Sequence, residues 1–259
     1  MTPCIETSLG RPVIIHQTED LVVVNKPAGM PTHPGPGCRP GASLMTWLRQ
    51  HTGRWVYPVH RLDAPVSGAL VMALSPSVAS QLAGQFAGRC VDKTYVGIAR
   101  GWLPAEGTMA KPLGRLDESD APVQEPQEAI TLYKTLAQWD IPLAVRPYPR
   151  ARYSLLELKP LTGRTHQLRR HLAGQSHPLI GDTRYGDGEH NRAFRTHFNC
   201  HRLLLHARHL AFDCPATGKR MTFSACFDQS WALLMGAEGF SNSAAAGKQE
   251  PTNGINDHK

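Results

Sequence analysis

The run "GALVMAL", Gly68 to Leu74, constrains the fold more than any other stretch of this chain. It contains no polar side chain, so it cannot be a half-solvated strand, which would alternate apolar with polar residues. It reads as a strand buried on both faces, in the interior of a covered sheet. Neighbours for it are in supply. "VIIH" (Val13 to His16) and "LVVVN" (Leu21 to Asn25) are short β-rich runs split by a polar turn. "KTYVGIARG", "AITLYKTLA", "ARYSLLELKP", "RLLLHARHLAF" and "KRMTFSACF" are further strand candidates. Helical patterns are fewer: "SLMTWLRQ" with Ser43 as N-cap, "SPSVASQLAGQFAGR", the short basic "RTHQLRRHLA", and "SWALLMGA". Many strands with few helices between them predict an α+β chain with a mixed, mostly antiparallel sheet and flanking helices and loops, not a doubly wound parallel one. "PAGMPTHPGPGCRPGAS" reads as loop and Pro104 to Pro126 as an excursion. One catalytic-size domain is expected over residues 12–238, followed by a small-residue, polar tail over 239–259 that reads as disordered.

Lys and Arg number 28 against 21 Asp and Glu, a formal charge of +7. The excess fits a polyanionic partner, nucleic acid being the commonest, or a merely soluble basic enzyme. Six dispersed cysteines without a CxxC pair suggest a reducing compartment. The N-terminus lacks the pattern of a signal peptide, and no apolar run is long enough to span a bilayer. The expectation is a cytoplasmic protein with no membrane partner. Without a coiled-coil pattern or long apolar stripe, a monomer is expected.

Within "PVHRLDAPVSGALVMAL" stands one acidic residue, Asp63. An Asp beside an Arg is by default a structural ion pair or a turn residue. Three features weigh against that reading. Asp63 opens the loop that leads into the buried strand. Ser67-Gly68 follows, a tight turn that brings backbone close to a ligand. A second dense cluster, "KPLTGRTHQLRRHLAGQSHPLIGDTRYGD", lies downstream.

"HRLDAPVSG" resembles the H-R-L-D-x-x-T-S-G signature of pseudouridine synthases, in the branch typified by synthase A of the ribosomal large subunit. "VVVNKPAGMPTHPG", "KTYVGIARG", "LTGRTHQLRRHL", "HPLIGDTRYG" and "RLLLHARHLAF" match further motifs of that family in order, from about Ile14 to about Ala225. Val66 departs from the pattern, standing where Thr is usual. It is β-branched like Thr but brings no hydroxyl.

The resemblance implies the roles. Asp63 is the catalytic aspartate, acting at the ribose C1′ or removing a proton to give a glycal; the uracil is detached, rotated and rejoined through carbon. No cofactor or metal is needed. A carboxylate that attacks must stay ionised, although burial alone would protonate it, so a guanidinium beside it is expected. Arg164 matches the family's active-site arginine, and Tyr95 the tyrosine that stacks on the target base. Base stacking is worth roughly 1–3 kcal/mol. Arg61 either fills the gap left by the extracted nucleotide or contacts phosphate. Lys26 either contacts RNA or buttresses the fold. His60, His166 and His171 contact phosphate or brace loops. Arg169 and Arg170 belong to a basic strip that with "RPYPRARY" neutralises several phosphates.

"HFNCHRLLLHARHLAFDC" crowds His and Cys together, but on an extended segment His206 and His209 face opposite ways, which suits a shared metal poorly. The first family motif begins close to Met1, leaving no room for an S4-type RNA-binding domain. One branch without that domain modifies uridine 65 in the acceptor stem of certain tRNAs. Pro147, Tyr148, Pro149, Arg152, Tyr153, Arg169, Arg170, Asn191, Arg192, His197 and Phe198 all match it. Its rivals are the same chemistry on 23S rRNA or on both RNAs, a non-catalytic RNA-binding protein, and an N-glycosidase that releases uracil.

Overall fold

A computed structural model describes residues 5–6, 10–35, 39, 41–114 and 125–240. The elements run β1 (Ile5–Glu6), β2 (Val13–Gln17), β3 (Leu21–Lys26), α1 (Leu44–Thr52), β4 (Tyr57–Pro58), β5 (Ser67–Ala73), α2 (Pro76–Ala87) and β6 (Asp92–Arg100). They continue with β7 (Glu106–Met109), β8 (Thr131–Ile141), β9 (Ala151–Pro160), α3 (Gln167–Gly174) and α4 (Gly188–Phe198). The chain closes with β10 (Leu205–Asp213), β11 (Arg220–Ser224), β12 (Phe227–Asp228) and α5 (Gln229–Gly236).

Ten strands form one sheet in the order β2-β3-β5-β10-β6-β9-β8-β7, with β11 on β10 and β4 on β5; β1 pairs with β12 separately. The sheet is antiparallel except where β5 runs parallel to β10. This is the α+β, mostly antiparallel architecture that the strand-rich sequence predicts.

All seven residues of β5 are buried, as the apolar run requires. On one side Leu70 and Met72 pack with Leu44 and Leu48 of α1. On the other Val71 and Ala73 pack with Val78 and Leu82 of α2. Burying side chains of this size contributes roughly 1.5–3 kcal/mol each. The helices begin where their caps predict. Ser43 Oγ accepts from the Thr46 amide at 3.2 Å and Ser75 Oγ from the Val78 amide at 3.4 Å.

Ser67-Gly68 is not a ligand-binding turn. Both residues belong to β5, and Gly68 (φ +118°) lies so close to β10 that an added Cβ would stand 2.3 Å from the Ala207 carbonyl oxygen. Only glycine permits that approach. Ser67 secures the same seam. His206 is buried, its Nε2 donates to the Ala225 carbonyl at 3.2 Å, and its Nδ1 accepts from the Ser67 hydroxyl at 2.8 Å. Arg202 adds a 2.7 Å bond to Ser67 Oγ and an ion pair to Asp228.

The histidine expectation needs correcting. A register shift between Ala207 and His209 puts His206 opposite Val96 and His209 opposite Thr94. Thr94 and Val96 share a face of β6, so the two imidazoles lie on one side of β10. Each has its own partner, and His209 meets Ser224 Oγ at 2.8 Å. The tail boundary also moves. Phe240 is buried and packs edge-on against Trp139 at 4.8 Å. The rest of the expected tail, 241–259, lies outside the described residues, as does most of the later part of the excursion. Its earlier part holds β7, too short for a pattern. Helix α4 has no run of apolar residues to announce it; Phe194 buries its inner face and Asp187 caps it. Cys90, Cys200 and Cys214 are free thiols, whereas Cys226 is disulfide-bonded, which its spacing did not signal. Among the described residues no helix is long and apolar enough to cross a membrane.

Two buried imidazoles make the fold acid-sensitive. Burial holds His206 at about 3, with Arg202 and Arg208 also lowering it against the Ala225 bond. Burial and Lys93 likewise hold His60 at about 3. The unfolded chain binds these protons near the ordinary histidine value of about 6.5 and the folded chain only near 3. Their stabilising contribution is therefore present above pH 6.5 and is lost as pH falls toward 3. Denaturant unfolding between pH 7 and 4 is expected to show a steeper loss for the native chain than for His60→Gln or His206→Gln. Equal slopes would contradict this account.

Candidate active site

The catalytic candidate Asp63 lies in the loop between β4 and β5. That loop is fixed from the segment after β3. The Gly29 amide donates to the Ala64 carbonyl at 2.8 Å, and Thr32 Oγ1 donates to the Leu62 carbonyl at 2.8 Å. Lys26 Nζ donates to the carbonyls of Pro27, Met30 and Ala64 at 2.8–3.1 Å. Three donors meet three acceptors, so this ammonium is fully used. Lys26 is wholly buried, and burial pulls its pKa to about 7, with Arg202 lowering it further and Asp63 opposing. Of the two roles open to Lys26 in the sequence, buttressing the fold is the one its burial and three backbone bonds favour. Val66 points into the main core at 3% exposure and its amide donates to the Asp63 carbonyl at 3.0 Å. An isopropyl group suits that apolar place.

Asp63 opens on a cavity of about 560 Å³. Tyr95 from β6, Leu205 from β10, Phe86 at the end of α2, and Arg164, His166 and Arg169 around the start of α3 share its walls. So the structure brings together Asp63, Tyr95 and Arg164, as the sequence expects. The ion pair is different. The guanidinium beside Asp63 belongs to Arg169, whose Nη1 lies 3.4 Å from Oδ2. Arg164, expected there, instead donates from Nε to the Glu128 carbonyl at 3.0 Å. The reason is helix geometry: Arg164 precedes α3, while Arg169 sits in its first turn and faces inward at 5% exposure.

Arg169 is itself clamped. Its Nε and Nη2 donate to the two carboxylate oxygens of Asp182, each at 2.8 Å. Burial acts to lower the Arg169 pKa, but Asp182 and Asp63 outweigh it and hold the guanidinium above its ordinary value. Burial would raise Asp182, yet Arg169 and the amides of Tyr185 and Arg184 keep it below the usual carboxylate range. Asn191 of α4 completes the support, bonding the Gly181 amide at 2.7 Å and the Asp182 carbonyl at 2.8 Å. With Arg169 strongly committed to Asp182, its longer contact orients Asp63 while leaving carboxylate lone pairs for a substrate.

The other side chains divide between site and scaffold. Burial lowers the His166 pKa while Asp63 raises it; its Nε2 lies 3.7 Å from Asp63 and its Nδ1 meets the Tyr185 hydroxyl at 2.9 Å. Burial, then the Asp63 charge, raises Tyr95, so its phenol stays protonated beside the carboxylate. Arg61 is exposed at the rim. His60 accepts the Val71 amide at 3.1 Å and stacks on Phe86 at 4.3 Å, and His171 bonds Thr131 and the Lys111 carbonyl. These two brace the fold. Arg169 is too buried for a phosphate contact, which corrects its place in the basic strip. Half-buried Arg170 donates to the Gly114 carbonyl at 2.8 Å. Sequence reasoning gave no such supporting role to Gly29, Thr32, Asp182 or Asn191, although Gly29 and Thr32 lie in "VVVNKPAGMPTHPG", Asp182 in "HPLIGDTRYG" and Asn191 among the branch-matching residues.

A second cavity, about 510 Å³, includes Asn25, Arg202, His206 and Asp228 in its walls. Arg202 pairs with Asp228 and bonds Ser67, so these groups serve the β5–β10 seam. The first cavity is the one that brings the Asp63 carboxylate, an aromatic face and cations together.

Comparison with known proteins places the chain among relatives. Residues 20–174 match the family model described as RNA pseudouridylate synthase. The chain is 45% identical over 227 residues to tRNA pseudouridine synthase C of Vibrio parahaemolyticus, covering 85% of this chain and 92% of that one. It is 45% identical over 237 residues to the protein of that name from Yersinia pestis, covering 89% and 92%. Among solved structures, human RNA pseudouridylate synthase domain containing 1 superposes with a TM-score of 0.66 at 26% identity, over 89% of this chain and 95% of that one.

Proposed function

The chain belongs to the RNA pseudouridylate synthase family, and from that premise we propose that it isomerises uridine 65 of tRNA with Asp63 as the catalytic carboxylate. The observation that carries the reading is the convergence of Asp63, its clamped partner Arg169 and Tyr95 in one cavity. Uridine enters flipped from its stack, its uracil against Tyr95 and its ribose C1′ toward Asp63. The N1–C1′ bond breaks, the ring turns, and C5 bonds to C1′. The C5 proton is lost and N1 gains one, so mass is conserved and no oxidant or cofactor takes part. Arg169 orients the Asp63 carboxylate for either covalent addition at C1′ or removal of a ribose proton.

The name carried by the relatives supports tRNA as substrate. The branch-marking residues support position 65. Several of them act through structure: Asn191 holds the Asp182 loop, and the Tyr153 hydroxyl meets His190 at 2.9 Å. Incubation with unmodified tRNA and with 23S rRNA transcripts, then chemical mapping of pseudouridine, tests the proposal. Modification at uridine 65 is expected. Modification confined to rRNA would overturn the tRNA assignment, and release of free uracil would overturn the synthase chemistry.

A further inference from the structure

We propose that Arg89 and Glu128 form an exchangeable phosphate clasp at the mouth of the active-site cavity: Glu128 occupies the Arg89 guanidinium in the free enzyme, and a substrate phosphate replaces it when RNA is bound. Arg89 follows the end of α2 and lines the cavity. Its backbone is left-handed, with φ +59°. The Arg89 amide donates to the Phe86 carbonyl at 3.2 Å and the Cys90 amide to the Gln85 carbonyl at 2.9 Å, closing the helix. Glycine is the usual residue at such a left-handed closing position, and a side chain there is strained.

The side chain does little to offset that strain within the free protein. Its Nη2 lies 3.1 Å from Glu128 Oε2, and both side chains are more than half exposed, at 53% and 58%. Exposed pairs of this kind stabilise folds weakly. An arginine at this strained position is therefore poorly explained by folding. It is well explained by its place. Arg89 stands at the rim of the cavity, and the Glu128 carbonyl also accepts from Arg164, a second cavity-lining arginine. Glu128 thus spans two guanidinium groups where an RNA backbone must pass. A phosphate is the stronger partner for a guanidinium fork, and an exposed carboxylate is readily displaced. The clasp rests on the reading that this cavity receives RNA.

The test compares Arg89→Gly and Glu128→Gln in the full chain, using whichever RNA the native enzyme modifies. Failure of the tRNA assignment then leaves this test intact. RNA affinity is measured by filter binding from low to moderate salt, and Tm is recorded alongside. Arg89→Gly is expected to bind RNA several-fold more weakly. The slope of log affinity against log salt should be shallower by about 0.7–0.9, one phosphate contact. Its Tm should be unchanged or higher, because glycine relieves the strain. Glu128→Gln frees Arg89 and is expected to bind more tightly. Native affinity and slope in Arg89→Gly would overturn the clasp, as would a lowered Tm, which would assign Arg89 to folding.

Discussion

Asp63→Asn is expected to reduce isomerisation by roughly 10³-fold or more, the scale seen when a central catalytic group is removed. Asparagine has the shape of aspartate and still accepts a hydrogen bond from Arg169. It lacks the charge, so it can neither add to C1′ nor take a ribose proton. Binding should survive, because the loop is held by Lys26, Gly29 and Thr32 through backbone carbonyls and not through the Asp63 side chain. RNA affinity is expected to be equal or slightly higher, since one negative charge leaves the path of the phosphates. Tritium release from C5-labelled RNA, with a gel-shift assay beside it, reads both quantities. Turnover within tenfold of the native enzyme would remove Asp63 from its assigned role.

Arg169→Met is expected to be nearly as damaging, and for two separable reasons. It leaves the Asp182 carboxylate buried without its bidentate partner and Asp63 without a cation. Breaking a buried pair from one side costs about 3–5 kcal/mol. Stability and activity should therefore fall together, activity by on the order of 10²-fold or more if the Asp63 contact is worth about 3 kcal/mol of transition-state binding. Adding Asp182→Leu should restore much of the stability by replacing the whole pair with apolar groups, while activity stays low. Arg164→Ala removes one bond to the Glu128 carbonyl, worth roughly 0.5–1.5 kcal/mol, and is expected to be milder on both counts. Denaturant unfolding and single-turnover rates for the four proteins decide the matter. A more severe effect at Arg164 than at Arg169 would reverse the assignment.

The two arginines show where sequence reasoning stops. Both lie in "GRTHQLRRHL", and the motif fixes their chemical type. Which guanidinium meets Asp63 depends on where α3 begins and which way its first turn faces. Gln167 helps to set that start, its Oε1 accepting from Thr162 Oγ1 at 2.7 Å and from the Arg164 amide at 3.0 Å. Elements whose pattern is local were legible. Strand β9 spans the ten residues of "ARYSLLELKP", and β5 departs from its apolar run by one residue at each end. Roles that rest on distant contacts were not. His60 sits next to Arg61 in a basic motif, yet its partner is the Val71 amide on a neighbouring strand and its neighbour is Phe86 on α2. Nothing in the motif tells a phosphate ligand from a strand brace.

The seam between β5 and β10 divides the site as well as the sheet. Asp63 and the contacts that hold its loop come from the chain up to β5. Tyr95, Arg169, Asp182 and Leu205 come from the chain beyond it. The two strands joined at Gly68 and Ala207 are well over a hundred residues apart in sequence, and such distant pairings carry the largest loop-closure cost in folding. The active centre is consequently a proof of assembly. Neither half of the chain holds Asp63 and Arg169 together, and a nascent protein cannot bring the two to one cavity until its last long strand has docked.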